Sequence, residues 1–171
     1  MTVKVGINGF GRIGRCVARH ILDERDDLTL VKINASGDVE SNIHLLHYDS
    51  IHGRWSGQLS DKLKWSHTRD IEMIDWSGVD VVLECTGAFN DGEVSKVHIE
   101  NGAKKVLISA PAKNVDKTIV YGVNHEEATS SDKIISNASC TTNCLAPMAK
   151  VLHQEFGIKR GIMTTVHSYT G

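Results

Sequence analysis

The 171 residues, 40% hydrophobic and 23% charged, describe a soluble globular chain with material for one ordinary domain and hardly two. Twenty-one acidic against nineteen basic residues leave a net charge of −2, and no basic run appears, which argues against a nucleic-acid surface. No apolar run reaches the ~20 residues that cross a bilayer, and the N-terminus lacks the charged-then-apolar layout of a signal peptide. The four cysteines at 16, 85, 140 and 144 have neither disulfide-framework nor zinc spacing, so the sequence predicts a reduced, cytoplasmic chain without metal or membrane.

In chain order, residues 3–7 read as a buried strand, 12–22 as a helix and 28–33 as a second strand. Residues 41–48 suggest a short helix with Ile43, Leu46 and His47 inward. Ser60-Asp61, between short alternating segments, predicts an antiparallel hairpin over 56–65. Further strands are expected at 79–83, 106–109, 118–122 and 133–136, with a helix over 92–101. Residues 140–156 read as a helix that holds Pro147 in its early turns or bends at it. Residues 158–169 read as extended. Apolar strands alternating with helices predict an α/β fold, a Rossmann-type doubly wound, largely parallel sheet. The chain stops as that last segment finishes, which reads as a cut inside a longer protein.

Gly9-Phe10-Gly11-Arg12-Ile13-Gly14 is G-x-G-x-x-G, placed directly after a strand and opening a helix. The first glycine suits the tight turn, the second a close approach to a pyrophosphate, and the third helix-on-strand packing. The helix N-terminus then presents free N–H groups and a positive dipole end to the phosphates. A dinucleotide is therefore the expected ligand. Such sites place a carboxylate at the end of the second strand, on the ribose 2′-hydroxyl. Here Ala35 stands there, beside Ser36 and Gly37, with Asp38 three residues beyond Ala35 in a turn. Alanine leaves room for a 2′-phosphate and Ser36 can donate to it, so NADP is expected to be accepted alongside NAD.

Asn137 and Ser139 are natural N-cap types, which puts Cys140 in the first turn of the helix, where the dipole and free N–H groups stabilise a thiolate. Cys16, Cys85 and Cys144 are expected to be small buried thiols. Of nine histidines, His167 differs, standing in the β-branched run Thr164-Thr165-Val166-His167-Ser168-Tyr169-Thr170. Alternation sets Thr165, His167 and Tyr169 on one face. A Cys140–His167 pair would make a thiolate–imidazolium nucleophile for a carbonyl. The other eight histidines are expected to be ordinary exposed or hydrogen-bonded groups.

Asn8 to Arg15, Tyr48-Asp49-Ser50-Ile51-His52-Gly53, Glu84-Cys85-Thr86-Gly87, Ile108 to Ala112, Ser136 to Cys144 and Thr164 to Gly171 closely resemble phosphorylating glyceraldehyde-3-phosphate dehydrogenase, over the whole chain. The resemblance implies Cys140 as nucleophile and His167 as its base. Ser139, Thr141 and Thr170 match positions that bind substrate or inorganic phosphate. Arg12 and Ile13 match the cofactor-binding pair of the glycine turn. Arg69, Thr86, Gly87 and Ser109 match positions lining the adenosine and nicotinamide sites, and the family's cofactor-selecting aspartate corresponds to Ala35. It further implies a homotetramer, a dinucleotide-binding domain over 1–139 and the start of a catalytic domain over 140–171. The implied reaction oxidises glyceraldehyde 3-phosphate to 1,3-bisphosphoglycerate through a cysteine thioester, with the sugar phosphate and inorganic phosphate as partners. Two alternatives stand beside it: erythrose-4-phosphate dehydrogenase, and, for these residues alone, a nucleotide-binding module without turnover.

Overall fold

The structure, a computed structural model, describes residues 2–167. Seven parallel strands form one sheet: β1 (Val3–Asn8), β2 (Leu28–Asn34), β5 (Lys64–Ser66), β6 (Val81–Glu84), β7 (Lys105–Ile108), β8 (Lys117–Thr118) and β9 (Ile134–Ser136). Their spatial order is β5-β2-β1-β6-β7-β9-β8. The chain leaves β1 toward β2 and later returns to β1's other side at β6, so the winding reverses between β1 and β6. That reversal opens a crevice at the carboxyl ends of the strands, where doubly wound sheets bind ligands. Helices α1 (Arg12–Glu24), α2 (Val39–His47), α3 (Gly92–Glu100) and α4 (Cys140–Phe156) complete the frame.

The strands sort the core onto the two faces of the sheet, the alternation of β2 being interrupted where its register with β1 shifts between Val5 and Gly6. Val5, Ile7, Leu30 and Ile33 pack with Ala18 and Ile21 of α1 and Leu46 of α2. On the opposite face Val82, Trp76 and Val79 pack together, and Ile99 of α3 reaches both this cluster and Val106, Ile108 and Ile134 beyond it. Burying each large aliphatic side chain contributes roughly 1.5–3 kcal/mol. Gly6 of β1 is required here, because a Cβ would stand 2.6 Å from the Trp76 ring.

Four expectations are corrected. No hairpin forms over 56–65; the antiparallel pair is β3 (Tyr48–Asp49) with β4 (Gly53–Arg54), and β5 joins the edge of the main sheet parallel to β2. The alternating apolar residues of that segment serve tertiary packing instead. Trp55 is buried with its Nε1 donating to Asp23 at 2.8 and 2.9 Å, Leu59 and Leu63 lie on the α1 cluster, and Trp65 meets Phe10 edge-on at 5.4 Å. The strand expected over 118–122 shrinks to Lys117–Thr118, since the chain turns at once through residues 121–124, Asn124 Oδ1 accepting from Val120 N–H at 2.8 Å. Residues 158–167 pair with no strand and are exposed, so the alternation there does not reflect a sheet face; Tyr169 lies outside the described residues. Helix α2 begins two residues earlier than expected because Asp38 caps it, accepting from Ser41 N–H at 2.7 Å.

Candidate active site

The glycine turn joins β1 to α1. Gly9 has φ +91°, and a Cβ on it would lie 2.7 Å from the Thr86 N atom. At Gly14 a Cβ would come within 2.1 Å of the Gly9 carbonyl oxygen, so helix and turn touch backbone to backbone. Nothing lies within 4 Å of the Cβ position of Gly11. Gly11 is also the N-cap of α1 and offers no side-chain acceptor to the first-turn N–H groups. An uncapped helix start, with open space before its cap, fits a pyrophosphate.

A cleft of about 560 Å³ runs along the strand ends at this turn. Of the predicted residues, Gly9, Phe10, Gly11, Ala35, Ser36, Arg69 and Thr86 line it. Ile13 is exposed at the helix start, Arg12 pairs outward with Asp49 at 3.2 Å, and neither lines the cleft. Gly14 supports the turn from below. Gly87 and Ser109 sit just past β6 and β7 without lining the cleft, Ser109 N–H donating to the Glu84 carbonyl at 3.0 Å. Sequence reasoning missed Asn8, Asn34, Thr68 and Phe89, which also line it. The signal available for two of them was an asparagine closing each of the first two apolar strands.

At the β2 end, Ala35 is buried and the following loop is pinned. Asn42 Nδ2 donates to the Ser36 and Asp38 carbonyls at 3.0 and 2.9 Å. The Asp38 carboxylate faces α2, where the Ser41 N–H and hydroxyl donate to it and hold its carboxyl below the usual range. It is therefore engaged as a helix cap, and the turn around it is held rather than loose.

Cys140 opens α4 as its first residue, behind the cap Ser139, whose Oγ accepts from Thr142 N–H at 2.9 Å. The turn between β9 and α4 is abrupt. Ala138, buried, takes φ +57°, a conformation that costs a non-glycine residue roughly 1–2 kcal/mol, and Asn143 Nδ2 ties the loop by donating to the carbonyls of Asn137 and Ser139 at 2.7 and 2.9 Å. Strain held beside an exposed thiol suits a site more than a core. The imidazole of His167 reaches this helix start, its Nε2 2.8 Å from Thr141 Oγ1. That contact sets His167 against the residue that follows Cys140; no hydrogen bond joins the two directly among the described residues. Thr170 lies outside the described residues. Cys140 and His167 do not line the cleft, which lies at the neighbouring strand ends.

The cysteine expectations are corrected at Cys144, which is exposed, as is Cys140. Cys85 is half-buried, and burial pushes its thiol up to about 11. His98 also departs from the ordinary histidine expected of it, being fully buried and bonded to Glu84 and Trp76.

The reversal point, the glycine turn and the open helix start define a dinucleotide-binding α/β domain. Residues 3–92 match the model of the glyceraldehyde 3-phosphate dehydrogenase NAD-binding domain, and residues 139–171 match the C-terminal domain of the same family. The chain belongs to the glyceraldehyde 3-phosphate dehydrogenase family. It is 50% identical to a glyceraldehyde-3-phosphate dehydrogenase of Cereibacter sphaeroides over 182 residues, covering 100% of this chain and 55% of that protein. The corresponding enzyme of Zymomonas mobilis subsp. mobilis is 53% identical over 184 residues, covering 99% of this chain and 55% of the relative. That of Geobacillus stearothermophilus is 52% identical over 183 residues, covering 99% and 54%. The chain thus spans about half the length of the curated relatives it matches.

Proposed function

We propose that these residues are the dinucleotide-binding domain, 1–139, and the first part of the catalytic domain, 140–171, of an enzyme that oxidises glyceraldehyde 3-phosphate to 1,3-bisphosphoglycerate. The observation that carries the reading is Cys140 at the first position of a capped helix, with the His167 imidazole bonded to the adjoining Thr141. Its proposed setting is a cytoplasmic homotetramer.

In this reading His167 takes the Cys140 proton, and the thiolate forms a C–S bond to the aldehyde carbon. The carbonyl oxygen becomes an oxyanion held by the Cys140 N–H, which has no intrahelical acceptor at that position, and by the imidazolium. His167 protonates that oxygen, then withdraws the same proton as the carbon loses hydride, and a thioester remains on Cys140. The bound dinucleotide supplies the hydride acceptor. Inorganic phosphate, oriented by the Ser139 and Thr141 hydroxyls and by Thr170, attacks the thioester carbon. The C–S bond breaks, the acyl phosphate leaves, and the Cys140 thiolate is restored.

Both NAD and NADP fit the cleft on this reading. Ala35 leaves space at the ribose, Asp38 is occupied by Ser41, and Ser36 and Arg69 at the same end of the cleft can hold a 2′-phosphate. The 171 residues alone are read as binding dinucleotide without turnover. What supports this is the exposure of residues 158–167, where the bond to Thr141 is the side-chain hydrogen bond of His167 among the described residues. Cys140→Ser in the enzyme of full family length is expected to abolish acyl-phosphate formation, measured as phosphate-dependent NAD(P)H production, while leaving dinucleotide affinity essentially unchanged. Ordinary turnover by that variant removes Cys140 as the nucleophile.

A further inference from the structure

Ser66, Asn34, Asn8 and Glu84 share one register row across β5, β2, β1 and β6, at the carboxyl ends of the strands. They are hydrogen-bonded in a single direction. Ser66 Oγ donates to Asn34 Oδ1 at 2.9 Å, Asn34 Nδ2 to Asn8 Oδ1 at 2.8 Å, and Asn8 Nδ2 to Glu84 Oε2 at 2.6 Å. Thr68 sets the direction at the outer end. Its N–H donates to Asn34 Oδ1 at 3.2 Å and its carbonyl accepts from Asn34 Nδ2 at 2.9 Å. A reversed Asn34 amide would oppose donor to donor and acceptor to acceptor there, and with Asn34 fixed, Asn8 must turn its NH₂ to Glu84.

The other end is fixed as firmly. Trp76 Nε1, which can only donate, lies 2.9 Å from His98 Nδ1, so His98 carries its ring proton on Nε2. That proton is donated to Glu84 Oε2 at 3.1 Å. The Thr86 N–H donates to Glu84 Oε1 at 2.7 Å, and the Thr86 hydroxyl closes on the same oxygen. Four donors converge on two oxygens, and the ring and both amides are oriented so that none accepts from Glu84. The site therefore holds a carboxylate against a neutral imidazole, with Glu84 1% and His98 0% exposed. No Lys or Arg ion pair reaches Glu84 among the described residues.

A buried charge without a cation is a poor way to gain stability, since apolar side chains of like volume often do as well or better. Its place gives it another use. Asn8, Asn34 and Thr86, all bonded directly or through one amide to Glu84, line the dinucleotide cleft. Asn8 precedes the glycine turn, Asn34 precedes Ala35, and Thr86 is the wall that Gly9 approaches. We propose that Glu84 is a positioning residue for the dinucleotide: its buried carboxylate fixes the ends of β1, β2 and β6 in the one arrangement the ligand fits. The inference rests on the dinucleotide reading of the cleft.

The test uses the 171-residue chain with NAD as probe, well below its unfolding midpoint, where lost stability alone leaves affinity untouched. Long-range ¹H–¹⁵N spectra of the wild type should show a neutral His98 protonated on Nε2; an imidazolium or an Nδ1–H tautomer overturns the proposal. Glu84→Gln presents NH₂ to at least one of four donors and should weaken NAD by about tenfold or more. Affinity within about twofold of wild type overturns it. Should Glu84→Gln not fold, Asn8→Ala removes the link to Asn34 while three donors remain on the carboxylate. It should weaken NAD by about fivefold, and unchanged binding is again fatal. A wild-type chain that binds no NAD overturns the dinucleotide reading and this proposal with it, a result separable from failure of the variants alone.

Discussion

Cys85 and Cys140 show how one residue type takes opposite roles in a single chain. Burial raises the Cys85 thiol to about 11, so it stays protonated at neutral pH and unreactive. Cys140 and Cys144 are exposed on α4. Iodoacetamide at pH 7.5 is expected to alkylate Cys140 and Cys144 well before Cys85, read by peptide mass mapping over time; early labelling of Cys85 contradicts its burial. The place of Cys140 at the start of α4 was legible from the caps around it. The exposure of Cys144 was not, because i,i+4 spacing states only that two side chains share a helix face, not what covers that face. Glu84 was harder still. It closes an apolar strand like any boundary residue, and its row with Asn8 and Asn34 exists only when three strands distant in sequence lie side by side.

At the scale of elements, the turn between β3 and β4 hangs on Asp49. Its carboxylate accepts from Ile51 N–H at 2.8 Å and His52 N–H at 2.9 Å, and pairs with Arg12 at 3.2 Å. The His52 and Ile51 amides, more than Arg12, hold its carboxyl down at about 2, against an ordinary 3.8. A depressed folded value means the stabilisation is complete above the ordinary value and disappears as pH falls toward 2. Asp49→Asn should therefore be less stable than wild type at pH 6, with the gap closing between pH 3.8 and about 2. Urea denaturation across that range reads it directly, and a gap that does not change with pH removes the role assigned to the carboxylate. Most strands were legible because they are short, largely apolar runs in a sheet with helices on both faces. The segment from Trp55 to Trp65 was not, because its alternating apolar side chains anchor an irregular path onto α1 and β2, a pattern indistinguishable by period from a hairpin.

For the molecule as a whole, the winding order sets every part of the site: β2 brings Ala35, β1 the glycine turn, β6 Thr86 and β9 Cys140. The doubly wound, largely parallel class was legible from the strand–helix alternation and the glycine turn together; the order of the strands came only from the structure. One prediction belongs to this scale. On the proposed reading the dinucleotide binds only the assembled strand ends, so NAD and NADP should both raise the thermal midpoint of the chain, each further tenfold excess over the dissociation constant contributing about 1.4 kcal/mol. A midpoint that responds to NAD and is indifferent to NADP at equal concentration would remove the role given to Ala35 and Ser36.

The bare start of α1 reaches further than ligand affinity. Gly11 gives that helix no side-chain cap, so on the proposed reading the bound dinucleotide completes its first turn. A bound dinucleotide would then act as a folding partner for this helix, holding it more firmly as occupancy rises. A tighter side-chain cap at this position would compete with such a ligand for the same N–H groups.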